Sequence, residues 1–331
     1  MLKILEFGKS VRPLVDDFLF KLLEGKPKKL YVAASHLPKA GGKRLRPILL
    51  LAITKGVGGD WKKAIPAAAA IELLHNFTLV HDDIMDKDEF RRGVPTVHKL
   101  WGEDTAILAG DLLFAKVFEA ASKLVDYGVD HAKVVKIVDI LSWASITVAE
   151  GQVLDIEFEN REEVSEEEYI EMITKKTGAL FKASAEIGAI IGGAPSECIA
   201  KLGEYGLNLG IAFQIRDDIL GLTADEKTLG KPIYSDIREG KKTILVIHAL
   251  KKLSPEEKKT LLNILGKSED INELKKAADL IIKSNALEYA EKLAEKYVKI
   301  ALEKLEEARI QDREVYDMLK ELALYIIKRE K

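Results

Sequence analysis

One stretch, residues 72–86, constrains the fold more than any other, because it joins an apolar segment directly to a cluster of aspartates. Residues 67–74 are mostly strong helix formers and include neither glycine nor proline, so an α-helix is predicted here. Asp82 and Asp86 are four residues apart, and on a helix they project from one face in successive turns. Carboxylates this close repel one another, and Mg²⁺ bound by carboxylate and phosphate oxygens would remove the repulsion. The stretch therefore predicts a helix that ends in a magnesium site.

Two arginines, Arg91 and Arg92, follow these carboxylates. Taken alone, Asp82, Asp83 and Asp86 are equally compatible with a solvated helix end. Guanidinium groups are suited to phosphate oxygens, and their presence beside metal-binding acids favours a diphosphate site.

The composition excludes several other classes of protein. The formal net charge of −3 argues against nucleic acid as the main partner. Cys198 is the only cysteine, which excludes an internal disulfide and a cysteine-based zinc site. No apolar run approaches the roughly 20 residues that span a bilayer, and no signal-type segment opens the chain. We therefore expect a cytoplasmic protein without a transmembrane segment.

The organisation of the chain predicts a single all-α domain over residues 1–331. No linker rich in serine, glycine or proline divides the 331 residues, and no stretch has a convincing strand pattern. Residues 165–168 and 254–257 match the capping box that starts a helix.

A basic turn, GGKRLRP at residues 41–47, precedes an apolar helix. Lys43 and Arg46 are three apart and share a face if the segment is helical. Ordinary solubilising charge and cations presented to a phosphate are equally compatible with this spacing.

A second acidic pair, Asp217 and Asp218, lies on another apolar segment. Gln214 is four residues before Asp218 and shares its face, and Lys176 with Thr177 interrupts the apolar periodicity of an earlier helix. If the two acidic helices face each other, their carboxylates would hold several Mg²⁺ ions around one diphosphate, which assists ionisation. The apolar residues below them would line a dry pocket for a hydrocarbon.

Together these motifs resemble the trans-isoprenyl (polyprenyl) diphosphate synthases along nearly the whole chain. The matching segments are GGKRLRP (41–47), HDDIMDKDEFRRG (81–93), KTGAL (176–180), FQIRDDILG (213–221), and GK followed by SDIREGKKT (230–243). The resemblance implies antiparallel helices around a central cavity, usually in a homodimer. It also implies Mg²⁺-dependent head-to-tail addition of isopentenyl diphosphate to an allylic diphosphate, with two to three ions.

The resemblance also implies roles for individual residues. Asp82, Asp86 and Asp217 match metal ligands, and Asp83 and Asp218 match residues that support them from outside the coordination sphere. The isopentenyl diphosphate site is implied to comprise Lys43, Arg46, His75 and Arg92. The allylic diphosphate group is implied to comprise Arg91, Lys176, Thr177, Gln214, Lys231 and Lys241.

Two positions bear on the metal site and on product length. Gly221 stands where many relatives carry a third aspartate, so the third ion would rely on water or on Asp225, provided that the helix continues past the glycine.

Phe77, five residues before Asp82, resembles the aromatic floor that limits chain growth, and the small Thr78 follows it. This pattern resembles archaeal-type synthases that make geranylgeranyl diphosphate (C20), with farnesyl diphosphate as a released intermediate. Core packing alone would also explain Phe77.

Other functions are compatible with part of this sequence pattern. A farnesyl or longer-chain synthase differs only in product length. A terpene cyclase or head-to-head condensing enzyme shares the metal and diphosphate chemistry but not the isopentenyl-binding pattern. A non-catalytic regulatory subunit should have lost motif residues that this chain keeps, and a helical scaffold would not explain lysines within apolar helices.

Overall fold

The computed structural model describes residues 3–224 and 233–328. Within these ranges the only strands are β1 (Phe90–Arg91) and β2 (Val94–Pro95), which pair antiparallel in a short hairpin. All other regular structure is helical, and the predicted all-α class is confirmed.

The described helices are numbered here in chain order. The first eight are α1 (Lys3–Leu22), α2 (Lys28–Lys39), α3 (Leu45–Gly56), α4 (Ile65–Met85), α5 (Val97–Trp101), α6 (Glu103–Ser122), α7 (His131–Glu159) and α8 (Glu166–Ile173). The others are α9 (Ala179–Gly192), α10 (Ser196–Thr223), α11 (Ser235–Glu239), α12 (Ile244–Lys252), α13 (Pro255–Ile264), α14 (Ile271–Lys283), α15 (Ala286–Glu307) and α16 (Arg313–Lys328). A 3₁₀ turn (Trp61–Ala64) precedes α4, and a π-helical segment (Thr174–Gly178) joins α8 to α9.

The two acidic helices lie at the centre of the packing. Helix α4 is buried over most of its length and packs on α6, while α10 packs between α9 and α15. Helix α10 continues through Gly221 to Thr223, so the glycine does not end it. Asp225 lies outside the described residues, and its predicted part in metal binding stays a prediction.

Local sequence signals act as predicted at two helix starts. Ser165 with Glu168 and Ser254 with Glu257 form complete capping boxes at α8 and α13. In each, the serine hydroxyl accepts a hydrogen bond from the backbone amide of the glutamate, and the glutamate carboxylate accepts one from the serine backbone amide.

No helix among residues 3–224 and 233–328 combines the length and apolar character needed to cross a membrane. The cytoplasmic location stays a prediction.

Candidate active site

A cavity of about 750 Å³ opens between the acidic ends of α4 and α10. Every candidate site residue within the described ranges lines it: Lys43, Arg46, His75, Phe77, Thr78, Asp82, Asp86, Arg91, Arg92, Lys176, Thr177, Gln214, Asp217 and Lys241. Lys231 lies outside the described residues. The residues singled out from separate motifs therefore meet in one place.

The first acidic pair faces two lysines across the cavity. Lys176 Nζ lies 3.4 Å from Asp82 Oδ1, and Lys241 Nζ lies 2.8 Å from Asp86 Oδ1. Burial and the neighbouring Asp82 charge raise the pKa of Asp86. Burial also acts to raise the pKa of Asp82, but Lys176 and Arg91 hold it below its ordinary value. The cations thus favour the ionised form of Asp82, whereas burial and the Asp82 charge outweigh them at Asp86.

Asp155 on α7 is a site residue that sequence reasoning missed. Its Oδ2 accepts hydrogen bonds from both lysines, at 2.7 Å from Lys176 Nζ and 3.1 Å from Lys241 Nζ. Glu159, one turn later, accepts a further bond from Lys241 at 2.7 Å. The i,i+4 spacing of the two acids was the available signal, although it does not reveal which helix they face.

The π-helical segment places Lys176 and Thr177 against α7. A Cβ at Gly151 would lie 2.4 Å from the backbone nitrogen of Lys176, so α7 approaches this closely only because residue 151 is glycine. Single-turn π segments recur at functional sites, and here the segment presents both predicted side chains to the cavity.

Both carboxylates of the second acidic pair line the cavity. Asp218 also accepts hydrogen bonds from Tyr169 Oη at 2.6 Å and Gln214 Nε2 at 2.9 Å. Gln214 Oε1 in turn accepts a bond from the Thr177 hydroxyl at 2.8 Å. Burial, with the charge of nearby Asp236, raises the pKa of Asp218 to about 7. Asp218 therefore ties α8, α10 and the π-helical segment together.

The position of Gly221 is partly filled by another acidic residue. A Cβ there would stand 2.7 Å from Asp236 Oδ2. An aspartate at 221 would thus crowd a carboxylate from α11 that already occupies this space.

Asp83 lies behind the first acidic pair. Its side chain is buried and pairs with Arg91, whose Nη2 also lies 3.1 Å from Asp88 and 3.9 Å from Asp82. Arg91 is therefore held on the acidic side of the cavity, as the predicted allylic group requires.

The other basic residues form a separate region near the start of α3. The Arg46 guanidinium lies 4.5 Å from the Phe181 ring centroid, and its buried Nε has no hydrogen-bond partner among the described residues. Burial lowers the pKa of Arg46 to about 10, while burial with Arg46 and Arg92 nearby lowers that of His75 well below its usual range. Cations with unused donors in a cavity suit an anionic ligand.

Aromatic side chains lie below the carboxylates. The Phe77 ring centroid is 4.9 Å from that of His81 and 5.0 Å from that of Phe114 on α6. The Thr78 hydroxyl donates to the His75 carbonyl at 2.8 Å. Phe77 and Thr78 both line the cavity, so core packing alone does not describe Phe77.

The donor set suits a hard divalent cation. Among residues 3–224 and 233–328, no three metal-ligating side chains form a preassembled cluster. Asp82, Asp86 and Asp217 nevertheless present carboxylate oxygens to one cavity, and Mg²⁺ takes one or two carboxylates together with substrate phosphate oxygens. The residues present therefore fit magnesium brought together with a diphosphate.

The all-α fold, with two acidic pairs and several basic side chains around one cavity, is typical of the class of prenyltransferases. The polyprenyl synthetase family model matches residues 27–281. The chain belongs to this family.

The similarity to named relatives covers nearly the full length of this chain. The geranylgeranyl diphosphate synthase of Saccharolobus solfataricus is 52% identical over 92% of this chain and 91% of its own. The geranylfarnesyl diphosphate synthase of Aeropyrum pernix is 45% identical over 96% and 100%, respectively. A crystal structure of geranylgeranyl pyrophosphate synthase from Corynebacterium glutamicum, complexed with isoprenyl diphosphate and magnesium, superposes with a TM-score of 0.90 at 29% identity, covering 99% and 100%.

Proposed function

We propose that this chain condenses isopentenyl diphosphate head to tail with allylic diphosphates in a Mg²⁺-dependent reaction that yields geranylgeranyl diphosphate, with farnesyl diphosphate as a released intermediate. The observation that carries the proposal is that one cavity is lined by two kinds of cation. Lys176 and Lys241 pair with Asp82 and Asp86, whereas Arg46 and Arg92 form no ion pair within 4 Å among the described residues. Two anionic substrates can thus be held separately in one cavity.

The side of the cavity with the first acidic pair would receive the allylic diphosphate. Arg91, Lys176, Lys241, Thr177 and Gln214 would contact its oxygens, with Lys231 as a further predicted member outside the described residues. Two to three Mg²⁺ ions held by Asp82, Asp86 and Asp217 would supply charge stabilisation to the departing diphosphate. The carbon–oxygen bond breaks, and the diphosphate leaves with the electron pair.

The region of Arg46 and Arg92 would hold isopentenyl diphosphate. Lys43, Arg46 and Arg92 would bind its phosphate oxygens, and neutral His75 could donate a hydrogen bond without adding charge. The substrate double bond then attacks the allylic carbon, and the resulting cation loses a proton to the departed diphosphate, which restores a double bond in the lengthened product. Orientation of the two substrates lowers the entropic part of the barrier.

The apolar part of the cavity would hold the growing chain and keep water from the cation. Phe77, supported by the Phe114 ring at 5.0 Å, would limit its length, and Thr78 leaves room on the same helix. A geranylfarnesyl product is the nearest alternative, because the Aeropyrum pernix relative carries that name.

We further propose that two copies associate through α6 and α7. Leu108 on α6 is 56% exposed, and Val135, Ile146 and Val153 on α7 are 61%, 61% and 54% exposed. The α7 residues are 11 and 7 positions apart, about three and two helical turns, so they share a face. An exposed apolar face of this kind supports a protein interface. Light scattering of the wild type and of Ile146→Lys tests this, with a dimer expected only for the wild type.

We propose that all residues 1–331 form one domain, beyond the matched 27–281. Helix α16, which follows the matched range, packs on α3, and Tyr205 of α10 donates to the Leu319 carbonyl at 2.8 Å. Unfolding in one transition at every spectroscopic probe would support a single domain.

The deciding experiment is incubation of the purified chain with Mg²⁺, radiolabelled isopentenyl diphosphate and each allylic primer. We expect radiolabelled C20 product. A terpene cyclase would consume the allylic substrate without incorporating label, and a regulatory subunit would make product only beside an active homologue. Either result would overturn the proposal.

A further inference from the structure

We infer that Asn76 and Glu72 are positioning residues for Arg92, acting through a closed ring of hydrogen bonds that includes Arg44 and the Gly41 carbonyl. The inference rests on the proposed function, because Arg92 belongs to the proposed isopentenyl diphosphate site. Asn76 and Glu72 lie in the stretch 72–86, but neither matches a site residue that the sequence predicts. We name the five groups the arginine ring.

The arginine ring closes on itself. Arg44 Nη1 donates to Glu72 Oε1 at 2.9 Å and to the Gly41 carbonyl at 3.1 Å. Arg92 Nη1 donates to the same carbonyl and to Asn76 Oδ1 at 3.2 Å. Asn76 Nδ2 completes the circuit by donating to Glu72 Oε1 at 2.9 Å. Each member is thus fixed by two others.

Burial makes the arginine ring stiff. The side chains of Arg44 and Glu72 are 2% and 3% exposed, and Asn76 is fully buried. Glu72 and Asn76 are one turn apart on α4, so a rigid helix carries both acceptors. A buried, fully partnered polar network favours one arrangement, because each lost bond leaves a polar group unsatisfied.

The backbone conformation of the two arginines also indicates that the arginine ring determines their positions. Arg44 and Arg92 have φ angles of +52° and +55°, in the left-handed region that costs a non-glycine residue about 1 kcal/mol or more. Such conformations persist where surrounding contacts determine them. The ring bonds of both guanidinium groups supply those contacts.

The arginine ring leaves part of Arg92 available to a ligand. Among the described residues, Arg92 donates hydrogen bonds from Nη1 alone, to Leu37, Gly41 and Asn76. Its Nε and Nη2 donors stay available at the cavity, which Arg92 lines. Asn76 is absent from the cavity wall, whereas Glu72 is part of it. Asn76 therefore acts on a substrate through Arg92, and it is the primary site for the test.

Asn76→Ala tests this role, with Asn208→Ala as the matched control. Asn76 Nδ2 also donates to the Glu72 carbonyl at 2.7 Å. Asn208 on α10 makes the equivalent bond to the Glu204 carbonyl at 2.8 Å and has no hydrogen bond to an arginine among the described residues. We expect Asn76→Ala to raise KM for isopentenyl diphosphate about 10- to 100-fold, the value of a bond to a charged donor, with the allylic KM and the circular dichroism spectrum unchanged. Asn208→Ala should leave both KM values unchanged.

Two further variants separate positioning from general packing. In an Arg92→Ala background, Asn76→Ala should add no further effect on the KM for isopentenyl diphosphate, because its target is gone. Independent effects, or an equal rise in both KM values, would overturn the inference.

A direct binding measurement keeps this inference separate from the proposed function. Calorimetric titration with inorganic diphosphate, without divalent metal, should show Asn76→Ala weakened as much as Arg92→Ala. If the wild type incorporates no isopentenyl diphosphate, the proposed function fails and this titration still decides on the arginine ring. If Asn76→Ala does not fold, the shape-conserving Glu72→Gln decides: weaker inorganic diphosphate binding supports the inference, and unchanged binding overturns it.

Discussion

Gly151 lies against the backbone of Lys176, so that a Cβ at position 151 would stand 2.4 Å from the Lys176 nitrogen. Backbone atoms, unlike the end of a flexible side chain, cannot move aside independently. Helix α7 and the π-helical segment must therefore separate if residue 151 becomes larger.

Gly151→Ala should lower kcat by about 100-fold, because displacements on the order of 1 Å at a positioned group have effects of this size. Steady-state kinetics measures it. Gly203→Ala is the control, since the three atoms nearest to its Cβ would all belong to the Glu186 side chain, not to backbone. Equal loss in both variants would mean that helix packing in general, not the Lys176 contact, determines activity.

Asp82→Asn and Asp86→Asn should each lower turnover by about 100-fold or more, because each removes a carboxylate that binds the metal stabilising the leaving group. The midpoint of thermal unfolding should change little, since fewer like charges then crowd the end of α4. Turnover at saturating Mg²⁺ is the measurement, and near-wild-type rates would exclude these residues as ligands.

Asp155→Asn should weaken binding of the allylic substrate more than Glu159→Gln does. Asp155 bonds both Lys176 and Lys241, whereas Glu159 bonds Lys241 alone. Without the shared oxygen, the two ammonium groups repel each other and lose their common anchor. The KM for the allylic substrate is measured for both variants. A larger rise in this KM for Glu159→Gln would contradict the prediction.

The helices and most candidate residues were predictable, because both depend on local spacing. Asp82 and Asp86 share a face through helix geometry alone, and each motif carried its own basic or acidic side chain. Asp155, Asn76 and the π-helical segment were not predictable, since their partners are distant in sequence: Asp155 meets Lys241 86 residues away, and Asn76 meets Arg92 16 residues away. Roles that arise from tertiary contact leave little trace in a local pattern.

The two basic groups should separate in kinetics. Arg46→Ala should mainly raise KM for isopentenyl diphosphate, and Lys176→Ala should act mainly through the allylic substrate. The two lie among different partners, Phe181 for Arg46 and Asp82 with Asp155 for Lys176. Arg46→Lys should also be poor, because an ammonium lacks the planar guanidinium fork. Equal effects on both substrates would disprove the two-site division.

Product length should respond oppositely to substitutions at Phe77 and Thr78. Both line the cavity on α4 below Asp82, and Phe77 rests on the Phe114 ring. Phe77→Ser removes an aromatic wall and should shift products beyond C20, whereas Thr78→Phe adds one and should shift them towards C15. Chromatographic sizing of radiolabelled products measures both.

Leu79→Ala, one residue further along the same cavity wall, is the control for simple loosening of α4. It should alter the product distribution less than Phe77→Ser, because it removes no aromatic ring. Unchanged products in both Phe77→Ser and Thr78→Phe would place the floor on another helix and remove the main physical support for a C20 product. A shift in Phe77→Ser alone would assign the floor to Phe77, whose ring centroid lies 5.0 Å from that of Phe114, and would show that position 78 does not face the growing chain.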